Sequence, residues 1–178
     1  YKASVMVDEA HGFGVMGDHG RGVCNYFGLT DKVDLIMGTF SKSFAAIGGF
    51  IAGSKTTINY IRHHARSYIF SASCTPAATA AVGKSLEIML REPERVEALQ
   101  DKTRYCLEKF LKRGFEIGHT STPIIPLFVR DNEKTFRVTA ELFHEGVFVN
   151  PVVAPAVAPE DTLIRFSLMA THTYEQLD

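Results

Sequence analysis

The segment GTFSKSFAAIGGF, residues 38–50, carries a single charge, Lys42, among small and apolar residues. An ammonium is costly to remove from water, so a lysine in such company either ends a strand and reaches outward or has a chemical task. Its surroundings favour a strand end. Upstream, DLIMGTF (34–40) is a β-rich apolar run bounded by glycine, and downstream GGFIAGS (48–54) is another. A third run, SVMVD (4–8), closes on a carboxylate, Asp8. Short apolar runs without polar alternation are expected of a sheet covered on both faces. Carboxylates at strand ends in such sheets face ligand crevices, so Asp8 is a candidate ligand group; capping its own turn is the alternative.

After residue 54 the pattern becomes helical. TTINYIRHHAR (56–66) predicts a short helix. Thr75-Pro76 supplies an N-cap and first helical residue for another, in which Val82, Leu86, Met89 and Leu90 share a face. A third helix is expected from Pro93 until Gly114 stops it. A boundary is expected across residues 114–121. Beyond it TPIIPLFVRD, GVFVNPVV and TLIRFSLMA read as strands, NEKTFRVTAELFHEG as a helix, and THTYEQLD as the start of a last helix with Thr173 and Gln176 spaced as a capping box. Residues 1–114 thus read as part of an α/β layer and 115–178 as a small α+β domain.

The bulk numbers exclude several classes. With 46% hydrophobic residues a packed core is expected, and a net charge of −1 without like-charge runs argues against nucleic acid or an anionic membrane as main partner. The longest apolar run, near residues 45–53, is short of the ~20 residues that span a bilayer. Three scattered cysteines, Cys24, Cys74 and Cys106, suit a reducing compartment better than a disulfide framework. The chain opens inside a strand pattern and closes inside a helix, so it is expected to be a piece of a longer protein.

Among motifs, GFGVMG (12–17) formally matches the dinucleotide fingerprint. That motif should turn a strand directly into a helix, and the following DHGRG denies one, so a glycine-rich surface loop is expected. Walker A and zinc-ligand spacings are absent, and no metal site is expected. His11, three residues past Asp8, could reach the same site. Beside Lys42, Thr39 and Ser41 add hydroxyls suited to a phosphate, and a lysine that bonds carbonyls requires desolvation. Arg165, inside the apolar run 162–170, needs an anion: a ligand carboxylate or a structural Asp or Glu.

Taken together, VDEAHGFGVMGDHGRG, GTFSKSFAAIGGF, YIFSAS with Thr75-Pro76, and LIRFSLMATHT resemble the α-oxoamine synthases, in order and over essentially the whole chain. These are pyridoxal-phosphate enzymes of the aspartate-aminotransferase-like fold, with a mostly parallel sheet in a large domain followed by a small α+β domain. The resemblance implies that Asp8 pairs with the pyridine nitrogen and His11 contacts the ring hydroxyl oxygen. Lys42 would bond the cofactor's aldehyde and later move the substrate's Cα proton. Thr39 and Ser41 would hold the lysine geometry and the phosphate, Ser71 would reach the phosphate of a neighbouring subunit, and Arg165 would grip the substrate carboxylate.

The implied reaction condenses an amino acid with an acyl-CoA, with loss of CoA and carbon dioxide, to a 2-amino ketone. GTFSKS followed by IGGF is most similar to the serine palmitoyltransferase branch. Val153 stands where some bacterial members of that branch carry arginine. The 8-amino-7-oxononanoate synthases, the glycine C-acetyltransferases, fold type I aminotransferases and a non-catalytic homologue are the alternatives. A cytoplasmic homodimer is implied. The 178 residues alone are expected to hold the cofactor poorly and to show no turnover.

Overall fold

The computed structural model describes residues 2–178, and residue 1 lies outside them. Contacts divide the chain into two compact units that separate between Val96 and Glu97.

In the first unit, strands β1 (Met6–Asp8), β2 (Leu35–Thr39) and β3 (Gly49–Gly53) form a sheet in the order β1-β2-β3. β1 and β2 are parallel, with Asp8 opposite Met37, whereas β2 and β3 are antiparallel, with Thr39 opposite Gly49. The expectation of a mostly parallel sheet is met by one pair of the two. A parallel return needs a crossover of a dozen or more residues, and only residues 40–48 join β2 to β3. A one-turn helix α1 (Val23–Tyr26) lies between β1 and β2.

Helices α2 (Lys55–His64) and α3 (Arg66–Ile69) replace the single helix expected over 56–66, because Ala65 takes an extended ψ of 105°. Helix α4 (Pro76–Arg91) starts as its sequence predicts: the Thr75 hydroxyl accepts from the Ala78 amide and proline occupies the first turn.

The strand and helix faces expected to be covered are not. Met6 is 54% exposed, and Ile51, Leu86 and Leu90 are exposed as well; α4 buries no residue completely. The buried set of this unit instead lies around the glycine-rich loop and the lysine loop: Glu9, Met16, Cys24 and Phe44.

In the second unit, α5 (Glu94–Lys112), which begins just before the division, buries Leu99, Thr103 and Cys106. Strands β4 (Ile124–Phe128), β5 (Asn150–Val152) and β6 (Leu163–Ser167) form an antiparallel sheet in the order β4-β6-β5. Its core holds Ile125, Ile164, Val149 and Leu168.

Each strand is shorter than its apolar run. Arg130 leaves the extended region at φ 62° beyond β4, where its guanidinium bonds the Glu116 carboxylate and the Glu160 carbonyl. Beyond β6, the Leu168 amide bonds the Pro123 carbonyl and the Met169 amide bonds His172 Nδ1. Helix α6 (Asn132–His144) is capped by Asp131, and the short α7 (Tyr174–Leu177) carries the expected capping box of Thr173 and Gln176.

Candidate active site

The carboxyl ends of the parallel strands β1 and β2 carry Asp8 and, three residues past Thr39, Lys42. Asp8 Oδ1 accepts a hydrogen bond from the Ala10 amide at 2.8 Å. His11 follows in the turn that begins at Glu9, whose carbonyl accepts from the Gly12 and Phe13 amides at 3.0 and 2.8 Å.

On the neighbouring strand, Thr39 Oγ1 lies 2.9 Å from Ser41 Oγ and donates to the Gly48 carbonyl at 3.2 Å. The Phe40 amide donates to the same carbonyl, and the Ala45 amide donates to the Lys42 carbonyl. Ala45 adopts a left-handed φ of 49°, a conformation that costs a non-glycine residue roughly 1–2 kcal/mol. Lys42 is exposed, and no carboxylate pairs with it among the described residues. The desolvation expected of this lysine is therefore not found here, because no element of these residues covers it.

The two loops are joined. Ser43, next to Lys42, donates through Oγ to the Phe13 carbonyl at 2.9 Å. Phe44 is buried and stacks on Phe13 with ring centroids 5.0 Å apart and planes 14° apart. Phe50 meets Phe13 edge-on at 5.3 Å. An acid, an amine and two hydroxyls thus gather on adjoining loops at one end of a sheet. Their chemistry fits a group with a basic ring nitrogen, a carbonyl and a phosphate, with one partner for each.

The glycine-rich segment is more than a surface loop, because Gly12, Met16, Gly20, Gly22 and Cys24 are all buried. The reason is Glu9, which is 1% exposed and was not singled out from sequence. Its Oε2 accepts from the Val23 amide at 2.7 Å and its Oε1 from the Cys24 amide at 2.6 Å. These are the first two amides of α1, whose cap residue Gly22 offers no side chain. A pyrophosphate would need such amides free, so the dinucleotide reading loses its physical basis. The loop closes on the carboxylate because two of its residues lack a Cβ. A Cβ on Gly12 would stand 2.1 Å from Glu9 Oε2, and one on Gly22, at φ 101°, 2.7 Å from Glu9 Cδ.

Burial, and then the adjacent Glu9 carboxylate, pushes the Cys24 thiol up to about 11. Only the thiolate attacks disulfide reagents. At pH 8 a thiol of that pKa is about one part in a thousand ionised. Cys106 is also buried, and burial raises its pKa too, whereas Cys74 is exposed. Of these three thiols, Cys74 should react rapidly with Ellman's reagent in the native protein, and Cys24 and Cys106 only after denaturation. Fast labelling of Cys24 in peptide maps would contradict the buried loop.

The remaining predicted residues are placed separately. Ser71 follows α3 and is exposed, and its Oγ donates to the Ser67 carbonyl. Arg165 sits in the central strand β6, opposite Pro126 on one side and Asn150 on the other. Alternation along the strand sends Ile164 and Phe166 to one face, where Phe166 meets Phe110 of α5 at 5.4 Å, and Arg165 to the opposite face. Arg165 Nε is buried without a hydrogen-bond partner, and no carboxylate pairs with the guanidinium among the described residues. The structural ion pair considered from sequence is thus not formed here. A buried donor without a partner is costly, and an anionic ligand would remove that cost.

Comparison with known proteins supplies the wider frame. The aminotransferase class I and II family model matches residues 1–178. A serine palmitoyltransferase of Bacteroides thetaiotaomicron is 65% identical over 178 residues, all of this chain and 45% of that protein. An 8-amino-7-oxononanoate synthase of Petrotoga mobilis is 42% identical over the same length, again 45% of that protein. Among solved structures, a serine palmitoyltransferase from S. paucimobilis with a bound PLP–myriocin aldimine superposes with a TM-score of 0.92 at 32% identity, over 99% of this chain and 45% of that one. The chain therefore spans about half the length of the relatives it matches.

Proposed function

Because the chain belongs to the aminotransferase class I and II family, we propose that the whole protein is a pyridoxal-phosphate-dependent C-acyltransferase of the α-oxoamine synthase type. The observation that carries this reading is the joining of the Lys42 loop to the Asp8–His11 loop through Ser43, Phe44 and Phe13. It brings an amine and a carboxylate to one end of the sheet.

In this reading Asp8 holds the proton on the cofactor's ring nitrogen and His11 bonds the ring hydroxyl oxygen. Thr39 and Ser41 bind the phosphate and orient Lys42. Lys42 would hold the group through its aldehyde and would take the proton from the substrate's Cα. Arg165 holds the substrate carboxylate in a two-point grip suited to its planar fork. Pyridoxal phosphate, when bound, supplies the electron sink for the carbanion left at Cα. Overall, Cα bonds to the acyl carbonyl carbon, CoA leaves as its thiol, and the carboxylate leaves as carbon dioxide.

Within the family, L-serine and a long acyl-CoA are the favoured substrates. The higher identity to serine palmitoyltransferases than to 8-amino-7-oxononanoate synthases supports that choice. Residues 1–114 are taken as part of the cofactor-binding domain and 115–178 as part of a small domain. A homodimer is proposed, with Ser71 serving the partner's phosphate site. The exposed Tyr68, Ile69 and Phe70 beside it supply apolar surface for such a contact. No helix among the described residues is long and apolar enough to cross a membrane. A cytoplasmic setting is part of this proposal.

The test is CoA thiol release by the full-length protein with pyridoxal phosphate, read across a panel of amino acids and acyl-CoAs. Release is expected with L-serine and a long acyl-CoA. Keto acid without free CoA would identify an aminotransferase instead.

A further inference from the structure

We propose that Glu9 is a positioning residue for the cofactor site, acting through the glycine-rich loop rather than by touching the cofactor. The inference rests on the reading of Asp8 and His11 as cofactor ligands, which lie on either side of it.

Every polar atom of Glu9 is engaged. Its amide extends the ladder between β1 and β2 by donating to the Met37 carbonyl at 2.7 Å, and its carbonyl starts the turn that carries His11. Its two carboxylate oxygens hold the Val23 and Cys24 amides, fourteen and fifteen residues away.

The far side of the loop is tied to the lysine. The Gly14 amide bonds the Gly20 carbonyl, and Phe13 carries the contacts with Ser43 and Phe44. The loop is therefore a strut with one end on the Glu9 carboxylate and the other beside Lys42. Its glycines take left-handed φ values of 80°, 79°, 74° and 101° at positions 14, 17, 20 and 22. Such a chain has many alternatives when unanchored, and Glu9 selects one of them.

Glu9→Gln keeps the shape but presents an NH2 group to one of the two amides, leaving donor against donor in a buried place. The unanchored loop then holds the binding geometry only part of the time, and apparent affinity falls by that fraction. In the full-length protein, Glu9→Gln is expected to weaken pyridoxal phosphate binding at least about tenfold by fluorescence titration. It should also displace the pH midpoint of the bound cofactor's visible absorption band, a quantity that loss of fold stability alone does not move.

A lower melting temperature with unchanged cofactor affinity and unchanged band would overturn the proposal and leave Glu9 a purely structural residue. Wild-type protein that takes up no cofactor would instead bring down the functional reading, and this inference with it. If the variant does not fold, hydrogen exchange on cofactor-free wild-type protein decides. Slow exchange at the Val23 and Cys24 amides supports an anchor set before the cofactor arrives, and unprotected exchange there overturns it.

Discussion

Replacing Lys42 by alanine in the full-length protein is expected to lower turnover by at least about a thousandfold, the scale of a lost general base. In the proposed reaction this one amine bonds the cofactor and moves the Cα proton, and among the described residues no other lysine lies on the loops at this end of the sheet. Lys42→Arg restores the charge but not the chemistry, since a guanidinium stays protonated at any working pH and cannot act as a base. Both variants should therefore fail alike, which separates a reacting amine from a mere positive charge. A second readout is direct: borohydride reduction with the cofactor should label the tryptic peptide that contains Lys42 in the wild type and leave it unlabelled in both variants. Turnover above about a tenth of wild type in Lys42→Ala would end the proposal that this residue reacts.

Arg165→Ala is expected to raise the KM for the amino acid about a hundredfold, with the KM for acyl-CoA little changed. Truncating one member of a hydrogen-bonded charge pair costs roughly 2–5 kcal/mol, and about 3 kcal/mol corresponds to that factor. Arg165→Lys keeps the charge without the fork and should fall between the two. Neither change should greatly affect folding. Arg165 Nε has no partner to be orphaned, and β6 is held by its ladders to β4 and β5. An unchanged amino-acid KM in Arg165→Ala would show that the guanidinium serves something other than the substrate.

Local signals in the chain were read correctly where one residue type satisfies one local requirement. Thr75-Pro76 starts α4, and Thr173 with Gln176 forms the box on α7, because each cap joins groups within three residues. Gly114 and Gly146 follow the ends of α5 and α6 at φ 76° and 85°, where a side chain would be strained. The strand-end positions of Asp8 and Lys42 were legible because apolar runs between glycines mark where a sheet stops.

Three things were not legible. β3 pairs antiparallel because of the length of the loop before it, which apolar composition does not report. The apolar faces of β1 and α4 promised burial, but hydrophobicity states a preference and does not supply the layer that meets it. Glu9 was hidden beside the more conspicuous Asp8.

The sequence by itself determined where α4 and α7 start, where α5 stops, and which side chains have the chemistry for a cofactor, since those depend on neighbours within a turn or on the residue alone. Only the tertiary structure decided that Glu9 closes the glycine-rich loop, that Phe13 meets Phe44 across thirty-one residues, and that Arg165 Nε has no partner among the described residues. Those outcomes depend on which distant backbone amides, rings and carboxylates arrive at the same place, and spacing along a chain does not encode that directly.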